Sequence, residues 1–191
     1  MFTSTSTSDC AETGAADLLI PLIRAAATIG FAIAPCSLGF VIIAVSEQLI
    51  RSIMVGDDPE MLMSDLQNQF PNDAIEHLAN DEKGLVAKVV DLIERPDQSM
   101  DLPLDISGTD FQMRVWEALR QVPAGTTVSY TFLAEQIGAP AAVRAVAQAC
   151  AANPLAVAIP CHRAVRADGE LAGYRWGIER KRALLEREGT K

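Results

Sequence analysis

The stretch Ser129 to Pro154, SYTFLAEQIGAPAAVRAVAQACAANP, decides how this chain folds. Serine caps helices, glycine ends them, and proline suits the first helical position. The spacing therefore predicts a helix from Ser129 to Gly138, a tight Gly-Ala-Pro turn, and a second helix from Pro140 that stops before Asn153-Pro154. This is the spacing of a helix-turn-helix, with residues 140–152 in the recognition position. Most of that second helix is Ala and Val. Only Arg144 and Gln148 have polar reach, which is too little to read base edges in a major groove. Small residues do allow close approach to a backbone, and a lone arginine among them can enter a minor groove or the base stack.

Working toward the C-terminus, an apolar segment leads into Ile159-Pro160-Cys161-His162-Arg163. A free cysteine is only a few per cent thiolate at neutral pH, so a neighbouring base or cation must raise the reactive fraction. His162 and Arg163 are each able to do so. Working toward the N-terminus, Thr109 or Asp110 caps a helix through Gln121, with Phe111, Val115, Ala118 and Leu119 facing inward, and Pro123-Ala124-Gly125 turns the chain.

The first half reads differently. Ile29 to Ala34, Gly39 to Val45 and Leu49 to Val55 are apolar runs with short turns between them, which predicts three antiparallel strands. Asp58-Pro59 opens a helix to about Phe70, a second helix fits Glu82 to Glu94 with Leu85, Val86, Val89, Leu92 and Ile93 on one face, and a short strand fits Leu102 to Ile106. The uncharged run Ala25 to Ser46 is broken by Pro35-Cys36-Ser37-Leu38-Gly39, so no membrane segment is expected. Residues 1–17, with their Ser/Thr-rich start, are expected to be a disordered tail. This gives an α+β chain with a supporting unit at 18–106 and a mostly helical unit at 107–191 that holds both the helix-turn-helix spacing and the Cys161-His162 pair.

A net charge of -9 looks wrong for a nucleic-acid partner, but the charge is unevenly placed. Residues 1–105 hold 5 basic and 17 acidic side chains, whereas residues 106–191 hold 11 basic and 8 acidic. A net +3 in the second half has the sign that phosphates attract, and it predicts modest, salt-sensitive affinity. Cys10, Cys36, Cys150 and Cys161 are widely spaced with no C-x-x-C pair, so neither a metal nor another cofactor is expected. Free thiols fit a reducing cytoplasm.

From Phe111 to Glu188 the motifs run in one order: Phe111-Gln112-Met113-Arg114-Val115-Trp116, Pro123 to Tyr130, Ala142 to Ala147, Asn153-Pro154, Ile159 to Arg163, Gly173-Tyr174-Arg175-Trp176-Gly177, and Lys181 to Glu188. This pattern resembles the O6-alkylguanine-DNA alkyltransferase (methylated-DNA-protein-cysteine methyltransferase) family, with the bacterial branch the nearer match, especially the C-terminal half of the adaptive response proteins. A looser resemblance reaches back through Leu102 to Ile106, Gly56-Asp57-Asp58 and Cys36 to Gly39. The resemblance implies a ribonuclease H-like first unit and a winged helix-turn-helix-like second one. It further implies a monomer that binds double-stranded DNA carrying O6-alkylguanine, and O4-alkylthymine as well, and rotates the lesion out of the stack. The alkyl group would pass irreversibly to Cys161. His162 would take the thiol proton through a water, Glu188 would orient His162 and favour its charged form, and Tyr130 would push the nucleotide out and protonate the departing guanine. DNA contacts are implied for Ala142, Arg144, Ala145 and Gln148 with Thr127, Ser129 and Tyr130, and Arg144 would fill the gap left in the duplex. Asn153, Pro160 and Arg163 would fix the hinge and loop, and Ala164, Tyr174, Arg175 and Trp176 would line the substrate pocket. Valine is usual in the family at the place of Ala164, so a roomier pocket is expected. The thioether product has no resolving group beside it, so the protein would act once.

Three other classes compete. A cysteine hydrolase also pairs Cys with His but turns over. A non-catalytic alkyl-lesion-binding protein would lack the cysteine, and a helix-turn-helix regulator would carry base-reading side chains on its second helix.

Overall fold

The computed structural model describes residues 28–78, 81, 83–98 and 100–189. The expected N-terminal tail, Cys10 and the Glu82 start of the second helix lie outside the described residues.

The three apolar runs form the antiparallel strands β1 (Thr28–Cys36), β2 (Gly39–Ser46) and β3 (Leu49–Gly56). Gly39 cannot be another residue: its φ is +106°, and a Cβ there would stand 2.4 Å from the Gly56 carbonyl oxygen. The β2–β3 turn places both Glu47 and Gln48 at positive φ, as a two-residue hairpin turn demands. A fourth strand, β4 (Ala74–His77), pairs in parallel with β1, so the sheet is mixed, with order β3-β2-β1-β4, and not the expected three-stranded antiparallel one. Its four residues AIEH hold one large apolar side chain, Ile75, set opposite Ile29, and so carry no periodic signal. The expected strand at Leu102 to Ile106 is reduced to a single bridge between Leu104 and Ile50, because Pro103 has no N–H to extend a ladder.

Helix α1 (Pro59–Gln69) starts as expected, with the Asp58 carboxylate accepting from Glu60 N–H at 2.8 Å. Helix α2 (Leu85–Glu94) begins one turn after Asp81, whose carboxylate accepts from the N–H groups of Leu85 and Val86. Helix α3 (Asp110–Arg120) carries a capping box between Thr109 and Gln112 and buries Val115, Trp116 and Leu119. Ser129 caps α4 (Tyr130–Gln136), and Gly138 follows at φ +70°. The expected helix from Pro140 is a 3₁₀ turn (Pro140–Ala142) leading into α5 (Val143–Ala151). The active-site segment is likewise a 3₁₀ turn (Cys161–Arg163), followed by β6 (Ala164–Val165), which pairs in parallel with β5 (Val128–Ser129). The last helix is α6 (Ile178–Arg187).

The free edge of β3 is what ties the halves together. Ile53 donates to Pro154 O at 2.9 Å and accepts from Ala156 N–H at 3.0 Å, while the buried Ser52 hydroxyl donates to Gln69 Oε1 at 3.0 Å and to Pro154 O at 3.3 Å. One hydrophobic cluster runs from Ile29 in β1 to Leu184 in α6. The sheet therefore fixes the loop that leaves α5 and leads to Cys161. No helix among the described residues is long and apolar enough to cross a membrane.

Candidate active site

The loop between α5 and Cys161 is organised by one side chain. Asn153 is fully buried; its Nδ2 donates to Ile159 O (2.9 Å), Leu155 O (3.3 Å) and Cys161 Sγ (3.2 Å), and its Oδ1 accepts from Leu155 N–H (2.8 Å). A single amide thus holds both ends of the loop and orients the thiol, while Val157 is held at φ +64°, a costly conformation for a β-branched residue.

The two residues that follow the thiol enter a polar cluster. His162 is fully buried, and its Nε2 lies 2.8 Å from Glu188 Oε1. The carboxylate accepts, so Nε2 carries the proton and Nδ1 is left as an acceptor; Nδ1 is buried and makes no hydrogen bond with the described residues. Glu188 also accepts from Arg163 Nη2 (2.9 Å), from Arg163 Nε (3.2 Å) and from Gly125 N–H (3.2 Å). Arg163 in turn donates to Val122 O and Pro96 O, bracing the turn against two other segments. Glu186, the other carboxylate near the end of α6, is exposed.

Burial dominates the protonation states. It would raise Glu188, yet the bonds from His162 and Arg163 outweigh it and hold the carboxyl below its ordinary value. His162 is lowered: burial outweighs the pull of Glu188, so the imidazole rests neutral although its carboxylate partner favours the charged form. Cys161 is pushed up to about 11 by burial, against the opposing effects of Asn153, Lys181 and Arg175, so the thiol rests protonated. Tyr130 is pushed up to about 12 by burial and by the two thiols Cys150 and Cys161.

A cavity of about 20 Å³ opens beside the thiol, lined by Tyr130, Ala147, Cys150, Ala151, Cys161, Gly173, Tyr174 and Arg175. It has room for a water and not for a purine. Tyr174 packs edge-on against both His162 and Trp176, and Arg175 donates to Asn153 O at 3.2 Å. Two of the four residues expected to line the substrate pocket, Ala164 and Trp176, stand outside this cavity. Ala164 is fully buried opposite Val128 and does not line this cavity. Trp176 lines a separate groove with Met54, Met61 and Leu62. Ser129 spends its hydroxyl on the α4 cap, accepting from Phe132 N–H at 3.0 Å.

The outer face of α5 is the other part of the site. Val146, Ala149 and Cys150 point into the core, which leaves Arg144, Gln148 and Ala151 exposed and Ala142, Ala145 and Ala147 half-covered. Thr127 lies half-covered just ahead of β5. Arg144 and three of the lining residues, Ala147, Cys150 and Ala151, thus belong to one helix.

Two contributors escaped the sequence reading. Cys150 lines the cavity as well as packing in the core. Lys181 is fully buried. Its signal was present in α6, where Ile178, Lys181, Leu184 and Leu185 share one stripe and the lysine occupies an apolar position.

A cysteine-centred site beside a helix, tight turn and helix on a mixed α+β scaffold narrows the class sharply, and comparison with known proteins agrees. Residues 110–190 match the family described as 6-O-methylguanine DNA methyltransferase, DNA binding domain. The chain is 52% identical over 160 residues to the bifunctional transcriptional activator/DNA repair enzyme Ada of Escherichia coli, covering 83% of this chain and 45% of that one. It is 36% identical over 129 residues to the inducible methylated-DNA–protein-cysteine methyltransferase of Bacillus subtilis, covering 68% of this chain and 72% of that one. The crystal structure of Mycobacterium tuberculosis O6-methylguanine methyltransferase superposes with a TM-score of 0.67 at 35% identity, over 84% of this chain and 92% of that one. The chain belongs to the O6-methylguanine-DNA methyltransferase family. The sequence match spans about half the length of Ada and of the mycobacterial methyltransferases.

Proposed function

We propose that this protein repairs DNA by direct reversal, moving the alkyl group of O6-alkylguanine, and of O4-alkylthymine, from duplex DNA onto Cys161. The observation that carries this is that Cys161 lines a cavity together with residues of α5 and Tyr130, and that the next residue is a buried histidine, oriented by Glu188, whose Nδ1 is left as an acceptor. The M. tuberculosis relative, solved in complex with DNA, supports duplex DNA as the partner. Residues 107–191 serve as the DNA-binding and catalytic unit in a winged helix-turn-helix-like arrangement, and residues up to 106 as a ribonuclease H-like support. The protein works as a cytoplasmic monomer.

The chemistry follows from charge and access. The lesion edge is unreachable inside a stacked duplex, so the nucleotide is rotated out, with Arg144 on the exposed face of α5 occupying the space it leaves. Ala142, Ala145 and Gln148 let the backbone approach, with Thr127, Ser129 and Tyr130 on the flank. The resting cavity is too small for a base, so the segment Gly173-Tyr174-Arg175 moves outward. Gly173 has nothing within 4 Å of the place where a Cβ would stand. Neutral His162 then takes the thiol proton through a water at Nδ1, and the thiolate displaces guanine from the alkyl carbon: an S–C bond forms and the C–O bond breaks. Tyr130 gives its proton to the guanine ring, which leaves neutral. Asn153, Pro160 and Arg163 keep the turn in place. Nothing in the cluster can displace a thioether, so each molecule acts once.

The test is to incubate the protein with a duplex holding one O6-methylguanine and weigh it intact. One methyl, mapped to Cys161 and never exceeding one per molecule, is the expected result; turnover, or no adduct, overturns the proposal.

A further inference from the structure

Lys181 presents an unbalanced charge. It is fully buried, makes no ion pair among the described residues, and gives its Nζ proton to the Ala164 carbonyl. A carbonyl dipole satisfies a donor but does not neutralise an ammonium, and a lone buried cation is costly unless something compensates it. The buried carboxylate of the site, Glu188, is bonded instead by Arg163 and His162. Ala164 caps the turn that begins at Cys161, its N–H donating to Cys161 O, so the Lys181 ammonium is tied to the same turn that carries the thiol.

We infer that Lys181 is the resident counter-cation of the Cys161 thiolate, a positioning residue that acts through its field at Sγ. In the resting state the cluster holds Glu188 against Arg163, a neutral His162 and one uncompensated positive charge. When the Cys161 proton passes to His162, the thiolate is formed beside the Lys181 ammonium and the imidazolium against Glu188, so neither new charge stands alone. The groups around Sγ are Lys181 from α6, Arg175 and Tyr174 from the preceding loop, Tyr130 from α4, Cys150 from α5 and Asn153 from its own loop, with His162 the next residue in the chain. Of the two cations, Arg175 is exposed to solvent and therefore screened, whereas Lys181 is not. The coupling is mutual: burial lowers the Lys181 ammonium while Cys161 and Cys150 hold it up, and Lys181 draws both thiols down against their own burial.

The inference rests on the proposed role of Cys161, and its test needs no DNA. The rate of iodoacetamide alkylation at Cys161, located by peptide mapping, is measured against pH in the wild type, Lys181→Met and Lys181→Gln, with thermal melting alongside. Gln keeps a donor for Ala164 O and removes the charge. Both variants are expected to shift the profile to higher pH and to slow alkylation at pH 7.5 at least tenfold, with the Met variant melting no lower than wild type. Profiles that superimpose on wild type overturn the inference. So does failure of both variants to fold, which assigns Lys181 a structural role. Methyl transfer from O6-methylguanine DNA to the wild type is measured in parallel; its absence would sink the repair function while leaving the charge test intact.

Discussion

The turn at Cys161 and the outer face of α5 stand one helix apart, and they are built on opposite principles. Around Cys161 almost every polar atom is buried and bonded: Asn153 makes four contacts, and Glu188 collects His162, Arg163 and Gly125. On α5 the polar side chains Arg144 and Gln148 stand in solvent. Pre-organisation suits a group that must react, because reorganising dipoles during the reaction would add to the barrier. Freedom suits a group that must find phosphates and bases on an incoming duplex, where long-range charge steers the approach. Changes in the first region should therefore be felt in chemistry and stability together, and changes in the second in DNA affinity alone.

The largest effect expected is from Cys161→Ser. Methyl transfer is lost altogether while duplex affinity in a gel-shift titration stays within twofold; persistent demethylation would break the division between the two regions. Glu188→Gln comes next. It leaves the Arg163 guanidinium buried without its counter-charge, and breaking such a pair costs about 3 kcal/mol or more, read as a lowered denaturation midpoint in urea. Methyl transfer in that variant falls at least tenfold, because His162 loses the carboxylate that fixes its tautomer. Arg144→Ala sharpens the other side of the comparison. Melting stays unchanged, affinity for DNA falls severalfold, and the slope of log affinity against log salt drops by about 1.

The smallest effect is the pH profile of stability, which belongs only to the buried region. The pKa values of His162 and Glu188 are lowered by folding, so the unfolded chain binds their protons first. Stability is full above the ordinary histidine value of 6.5 and falls as pH drops below it. Those of Cys161, Cys150 and Tyr130 are raised, so the unfolded chain gives up their protons first, and stability falls again as pH rises past the ordinary thiol value of 9.0. Thermal melts from pH 5 to pH 10 should show a plateau between these limits, with a smaller acid-side loss in a folded His162→Gln variant.

Much of this was legible in the chain because its signals are short-range. The strands β1 to β3, the caps at Asp58, Thr109 and Ser129, and the Cys161-His162 adjacency each depend on residues within a few positions of one another. Strand β4 was hidden because four mostly polar residues carry no period, and its pairing with β1 is made some 46 positions away. The choice of Glu188 over Glu186 came from the resemblance alone, and only the packing of α6 against the Cys161 turn shows why one is buried on His162 and the other faces water.

The sequence by itself determined strands β1 to β3, most of the helices, the adjacency of Cys161 and His162 and the sign of charge in each half, because periodicity, capping chemistry and composition act locally or by simple sum. The tertiary structure alone decided that His162 is neutral, that the thiol rests protonated, that Ala164 lies away from the cavity, and that a lysine is sealed beneath the reactive turn. Burial and charge compensation depend on which distant segments exclude water from a group, and no local pattern encodes that.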